Sequence, residues 1–118
     1  MLNLSHKHLI VYKNALDLTK EVYNLTKQLP KDEAYGLSSQ LRRAAVSVCS
    51  NLAEGAGRIS KAEKKRFYEI SRSSMVEIDT QIGICLLVEY LNRSQLQKLE
   101  LLINNGFAIL SKMISNLS

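Results

Sequence analysis

The chain has 118 residues, 46% of them apolar, with 5 Gly, 1 Pro and no Trp. That length suits one domain with its own core, and the apolar share excludes a disordered segment. So few breakers and so few β-rich runs exclude a sheet and leave an all-α fold; the formal charge of +5 is mild in total.

Taken in chain order, helix one is predicted from about Lys7 to Leu29. Leu9, Tyr12, Leu16, Val22, Tyr23 and Leu29 recur at near-helical spacing, Ser5 is placed to cap the start, and Pro30 stops the end. After the loop "PKDEAYG", helix two is predicted over about Leu37–Glu54, ended by Gly55 and Gly57 in the relaxed backbone that glycine permits. Helix three is predicted over about 61–90. Ser60 followed three residues later by Glu63 is a capping box at its start. Asn92 with Gln95 is a second capping pair, opening helix four over about 93–116 with Leu96, Leu99, Leu102, Ile103, Leu110 and Ile114 on its apolar side. Four helices with short connections form an up-down-up-down, antiparallel four-helix bundle.

Helix two is unusual. Between Arg43 and Glu54 it carries no charge. On a helical wheel Gln40, Arg43, Ser47, Asn51 and Glu54 occupy one stripe about 80° wide. Leu41, Ala45, Val46, Val48, Cys49, Leu52 and Ala53 cover most of the rest, so the usual proportions of a surface helix are reversed. On helix three, Phe67, Ile70, Ser74, Ile78, Cys85 and Val88 form an inward arc that also contains Glu77 and Gln81. If helices two and three turn back on each other near Arg58 and Ile59, Arg43 lies opposite Ser74 and Glu77, and Gln40 lies opposite Glu77. A buried carboxylate requires a partner. The expectation is a buried Arg43–Glu77 ion pair with Gln40 beside it, setting alignment more than stability. The alternative is a narrow solvated face.

The run Ile82–Leu91 is apolar around nearly the whole wheel. One bundle core cannot absorb every side of it, which points to a homo-oligomer closed by cyclic symmetry. Between Arg58 and Arg72 stand six basic residues (Arg58, Lys61, Lys64, Lys65, Arg66, Arg72) and two acids (Glu63, Glu69). Most of the excess positive charge therefore lies in one segment. Lys61, Lys65, Tyr68 and Arg72 fall within about 60° on the wheel. They form a basic ridge able to meet successive phosphates of RNA or DNA, with Tyr68 stacking on an unpaired base. The competing reading is a lysine-rich face that is merely solvated.

Enzymatic readings find little support. His6 and His8 are the only histidines and sit near the terminus. No Cys–His spacing suits zinc, and "GAG" lacks the phosphate-loop lysine. Ser47, Asn51 and Glu54 share a face with no histidine base. No catalytic residue, metal site or cofactor is expected. Cys49 and Cys85 lie in apolar helical runs and read as small buried hydrophobes rather than a disulfide. No apolar run approaches the roughly 20 residues of a membrane span. The apolar patch in "MLNLSHKHLIVY" is too short and interrupted for a signal peptide. The chain is read as cytoplasmic.

The stretch "GLSSQLRRAAVSVCSNLAEGAGRISKAEKKRFYEISRSSMVEIDTQI", with the opening "HLIVYKNALDLTKEVYNLTKQLP", resembles the 23S rRNA intervening sequence family, also called the S23 family. The distinctive part is "QLRRAAxSxxxNLAEG", and the likeness covers almost the entire chain. The resemblance implies a small bacterial four-helix bundle, assembled as a ring-shaped homopentamer, with no established catalytic activity. Some members are encoded within insertions in large-subunit ribosomal RNA genes. Related bundles accompany reverse transcriptases of diversity-generating retroelements and bind nucleic acid. Two departures stand out: Ser71, Arg72, Ser73 and Ser74 replace the family's small "A-x-G-S", and Cys49 stands where a Pro often follows "VSV". Two functions remain open: RNA or DNA binding through Arg58, Lys61, Lys64, Lys65, Tyr68 and Arg72, or a protein adaptor ring that docks a polymerase or ribosome-associated partner.

Overall fold

In the computed structural model, which describes residues 1–117, the chain forms α1 (Ile10–Thr26), α2 (Leu37–Gly57), α3 (Lys61–Leu87) and α4 (Gln97–Ser115). Short 3-10 turns at Ser5–His8, Lys31–Glu33 and Arg93–Gln95 lie between or before them, and the described residues contain no strand. α1 packs on α2 and α4, and α3 on α2 and α4, so the four helices enclose one core.

The ends of these helices follow local chemistry. Ser60 Oγ accepts the Glu63 amide at 3.1 Å and starts α3, but only this half of the predicted capping box forms, the Glu63 carboxylate pairing with Arg58 instead. Asn92 and Gln95 form a reciprocal capping box, but it closes the 3-10 turn, and α4 begins only at Gln97. Ser5 opens a separate turn rather than α1, whose N-cap is Leu9 with no side-chain cap. α1 stops at Thr26, where the Thr26 hydroxyl turns back to the Tyr23 carbonyl, before Pro30 is reached. α3 ends at Leu87 rather than Tyr90, and Glu89 takes a left-handed φ of 66° as the chain turns out.

Gly55 and Gly57 do not end α2. The helix continues through Gly57, and no glycine takes positive φ. Gly55 is required for closeness instead. A Cβ there would lie 2.7 Å from Tyr68 Cε1 and 3.1 Å from Phe67 Cβ. A comparable approach occurs between α1 and α4, where Gly106 lies against the Asn14 side chain, whose Nδ2 donates to the Leu102 carbonyl at 3.1 Å.

The predicted helical period holds, and its phase shifts. α1 buries Val11, Ala15, Leu18, Val22 and Leu25 and leaves Leu16 and Tyr23 exposed. α2 buries Leu41, Ala44, Ala45, Val48 and Leu52, with Val46 outside. α3 buries Tyr68, Ser71, Ser74, Met75, Ile78, Ile82 and Cys85, while Ile70 and Val88 are exposed. α4 follows the predicted face most closely, burying Leu99, Ile103, Leu110 and Ile114. Among the described residues no helix is long and apolar enough to cross a membrane.

Candidate nucleic-acid edge and polar seam

α2 and α3 meet along a line of small residues. Ser71 is fully buried and its hydroxyl donates to the Val48 carbonyl at 2.8 Å. Ser74 Oγ donates to Ser47 Oγ at 2.8 Å, and Asn51 Nδ2 donates to Ser47 Oγ at 3.0 Å. Further along, Gln81 Nε2 reaches Gln40 Oε1 at 3.4 Å. Falling positions on α2 therefore meet rising positions on α3, as the predicted turn near Arg58 requires.

The Arg43–Glu77 ion pair does not form. Both side chains are exposed, and neither is in any ion pair of the described residues. They share only the rim of a shallow groove with Gln40, Ala44, Ser47 and Gln81. The physical reason is the phase of α3. With Tyr68, Ser71 and Met75 turned inward, Glu77 rotates to the outer surface, and water solvates it in place of a buried partner. The stripe on α2 is thus largely a solvated face at Gln40, Arg43 and Glu54, with Ser47 and Asn51 half-covered. Ser47, Asn51 and Gln40, not Arg43, make its hydrogen bonds to α3 or within the helix.

The predicted basic ridge is divided by the structure into inner and outer members. Tyr68 is buried at 6% exposure, its ring against Gly55, and burial pushes its hydroxyl above the ordinary pKa. It is a core side chain and presents no stacking surface, which corrects its role in the ridge. Lys64 Nζ donates to the Ala56 carbonyl at 2.9 Å and the Gly55 carbonyl at 3.3 Å, so it closes the C-terminal end of α2, where carbonyls lack helical partners. Arg72 lies half-buried against α4, donating to Ser111 Oγ at 3.1 Å and standing over the Phe107 ring at 5.7 Å. Arg58 pairs with Glu54 at 3.2 Å and Glu63 at 3.7 Å and covers the Phe67 ring at 4.8 Å.

Lys61, Lys65 and Arg66 are left as the outward cations. Lys61 and Arg66 are exposed and Lys65 half-exposed, and none forms an ion pair among the described residues. Arg58 occupies Glu63, one of the two acids of the segment, so local neutralisation of this edge is incomplete. Sequence reasoning could have found the inner members. Lys64 lies where a residue just past a helix C-terminus would be reached, and Tyr68 recurs with Ser71 and Met75 at core spacing.

Among the described residues no three His, Cys, Asp or Glu side chains come together as metal ligands. Both cysteines are free, and desolvation pushes each thiol above its ordinary pKa, against thiolate chemistry. At Cys49 the Thr19 hydroxyl, 3.3 Å away, opposes that shift only in part.

The run Ile82–Leu91 divides similarly. Ile82, Cys85 and Leu91 enter the core, while Ile84, Leu87 and Val88 are exposed, Leu87 at 81%. Val76 and Phe107 add exposed apolar surface beside a cavity of about 260 Å³ between α3 and α4.

Comparison with known proteins places this geometry. The sequence model of the 23S rRNA-intervening sequence protein family matches residues 7–115. No curated protein matches the chain. Among solved structures, a protein of unknown function from the S23 ribosomal protein family of Bacteroides thetaiotaomicron VPI-5482 superposes with a TM-score of 0.81 at 21% identity, covering 89% of this chain and 98% of that one. At that identity the likeness speaks for the fold.

Proposed function

This chain belongs to the 23S rRNA-intervening sequence protein family, and we propose that it is a non-enzymatic, cytoplasmic up-down-up-down bundle that assembles as a cyclic homo-oligomer and binds RNA or DNA without sequence preference. The observation that carries the reading is the outward cationic edge at the start of α3, where Lys61, Lys65 and Arg66 form no ion pair. Backbone phosphates are the polyanion such an edge suits, with affinity falling steeply in salt. Repetition around a ring, a pentamer by family resemblance, multiplies a modest patch into an avid one. The contact set narrows to Lys61, Lys65 and Arg66 with Arg58 at the rim; Lys64, Tyr68 and Arg72 support the fold beneath it.

The exposed apolar surface supports the assembly. Leu87, Ile84, Val88 and Val76 are large side chains left in water by a single chain, and a neighbouring copy removes them from it. The same surface favours a second reading, a ring that docks a protein partner such as a polymerase or ribosome-associated component. Size-exclusion chromatography with light scattering, with and without a structured RNA at low and high salt, tests both. The first reading expects an oligomer that shifts with RNA at low salt and releases it at high salt, with the double variant Lys61→Glu, Lys65→Glu losing the shift. An oligomer indifferent to RNA and DNA rejects it in favour of the adaptor. A monomer rejects the ring.

A further inference from the structure

A second candidate surface lies away from the α3 edge. It is a groove of about 750 Å³ between α1, the turn before α2, and α2 itself. That size falls within the range of small-ligand sites. Three cations line it, Lys31, Arg42 and Arg43, and its lining contains no carboxylate. No ion pair among the described residues involves any of the three. A concave surface with one sign of charge concentrates the opposite sign in solution.

Arg42 is held in place before any ligand arrives. Its Nε donates to Thr26 Oγ1 at 2.8 Å, and its guanidinium lies 4.7 Å from the centre of the Tyr23 ring. The Thr26 hydroxyl is itself fixed by donating to the Tyr23 carbonyl at 3.1 Å. Using Nε toward the protein leaves the two Nη groups of the planar guanidinium for two oxygens of an anion, the geometry at which arginine exceeds lysine. Ser39 and Ser50 add hydroxyls to the same lining. Tyr35, on the turn between α1 and α2, is fully exposed and also lines the groove, so its ring is accessible to a flat partner.

We propose that the α1–α2 groove is a nucleoside-phosphate site, with Arg42 and Arg43 holding the phosphate and Tyr35 stacking on the base. The source is a free nucleotide or one residue of a single strand, since both present the same phosphate and base. The site is separate from the α3 edge, and its test does not depend on that edge.

Isothermal titration calorimetry with AMP, adenosine, inorganic phosphate and a short oligoadenylate provides the test. AMP is expected to bind more tightly than adenosine or phosphate alone. Tyr35→Ala and Arg43→Glu are each expected to weaken AMP by about tenfold, the scale of one lost stacking or charged contact. Both residues are exposed, and circular dichroism confirms that the variants fold. Tighter binding of oligoadenylate than of AMP, lost in the same variants, identifies a strand as the source; equal affinity identifies the free nucleotide. The variant Lys61→Glu, Lys65→Glu is expected to keep AMP affinity even where it loses structured RNA, so failure at one place is separable from failure at the other. Absence of AMP binding, affinity unchanged in both groove variants, or equal binding of AMP and phosphate overturns the proposal.

Discussion

The two seams of α3 are built differently. Toward α2 it presents Ser71, Ser74 and the ring of Tyr68, and receives Ser47, the Val48 carbonyl and Gly55 at hydrogen-bond or van der Waals distance. Toward α4 the chain uses long side chains, Arg72 reaching Ser111 across the rim, and a cavity of about 260 Å³ remains between the helices. Small side chains with one hydroxyl each let two backbones approach and still satisfy their polar groups. Long cations bridge a wider gap without filling it. The α2–α3 pair is therefore the more tightly fitted half of the bundle, and the α3–α4 side keeps exposed apolar surface and unfilled volume.

Filling the closest approach breaks this contrast most severely. Gly55→Leu places atoms inside the Tyr68 ring and is expected to cost about 3 kcal/mol or more, beyond any gain in helix propensity. Chemical denaturation measures it, and an unchanged midpoint would mean that the seam is not tight. Ser71→Ala removes one buried hydroxyl bond without filling space and is expected to cost about 1 kcal/mol in the same assay. Arg72→Met keeps the stem and loses the Ser111 bond and the Phe107 contact, for about 0.5 kcal/mol. A loss at Arg72 larger than at Ser71 would reverse the ranking of the two seams.

The smallest effect is confined to alkaline pH. Tyr90 donates to Glu33 Oε2 at 2.8 Å, and that bond, with a lesser contribution from burial, raises the phenol pKa above its ordinary value. A raised pKa in the folded state adds stability below the unfolded value of about 10, lost as pH climbs through the folded value. Tyr90→Phe is expected to flatten that part of the stability profile, read by denaturation at a series of alkaline pH values. An identical slope in the variant would exclude the bond as its cause.

Much of this was legible from residue types. Ser60 caps α3 where its spacing says, Asn92–Gln95 forms its box on the 3-10 turn just before α4, and the turn at Arg58 sets which parts of α2 and α3 meet. The phase of each helix was harder to read. On α3 the wheel admits two inward arcs about 60° apart, because Phe67, Ile70 and Val88 are as apolar as Tyr68, Met75 and Ile82. Ser71 and Gly55 decide between them, by fitting where larger groups do not, and hydrophobicity does not register that advantage. The misplaced Arg43–Glu77 pair and the misplaced Tyr68 both follow from that one rotation. The α1–α2 groove was not legible, because Arg42 and Arg43 on α2 meet Lys31 and Tyr35 of the preceding turn, and Tyr23 and Thr26 of α1, only once α1 packs on α2.

Glu33 accepts from the Leu37 amide at 3.1 Å and from the Tyr90 hydroxyl 57 residues away at 2.8 Å. One carboxylate thus fastens the turn before α2 to the exit from α3. A contact that closes a loop of 57 residues carries a large entropy cost, and we expect it to form late in folding. Its removal by Glu33→Ala should then speed unfolding while leaving the refolding rate nearly unchanged. The clasp at this end of the bundle acts as a brake on opening, and it sets how long a folded chain lasts more than how readily it forms.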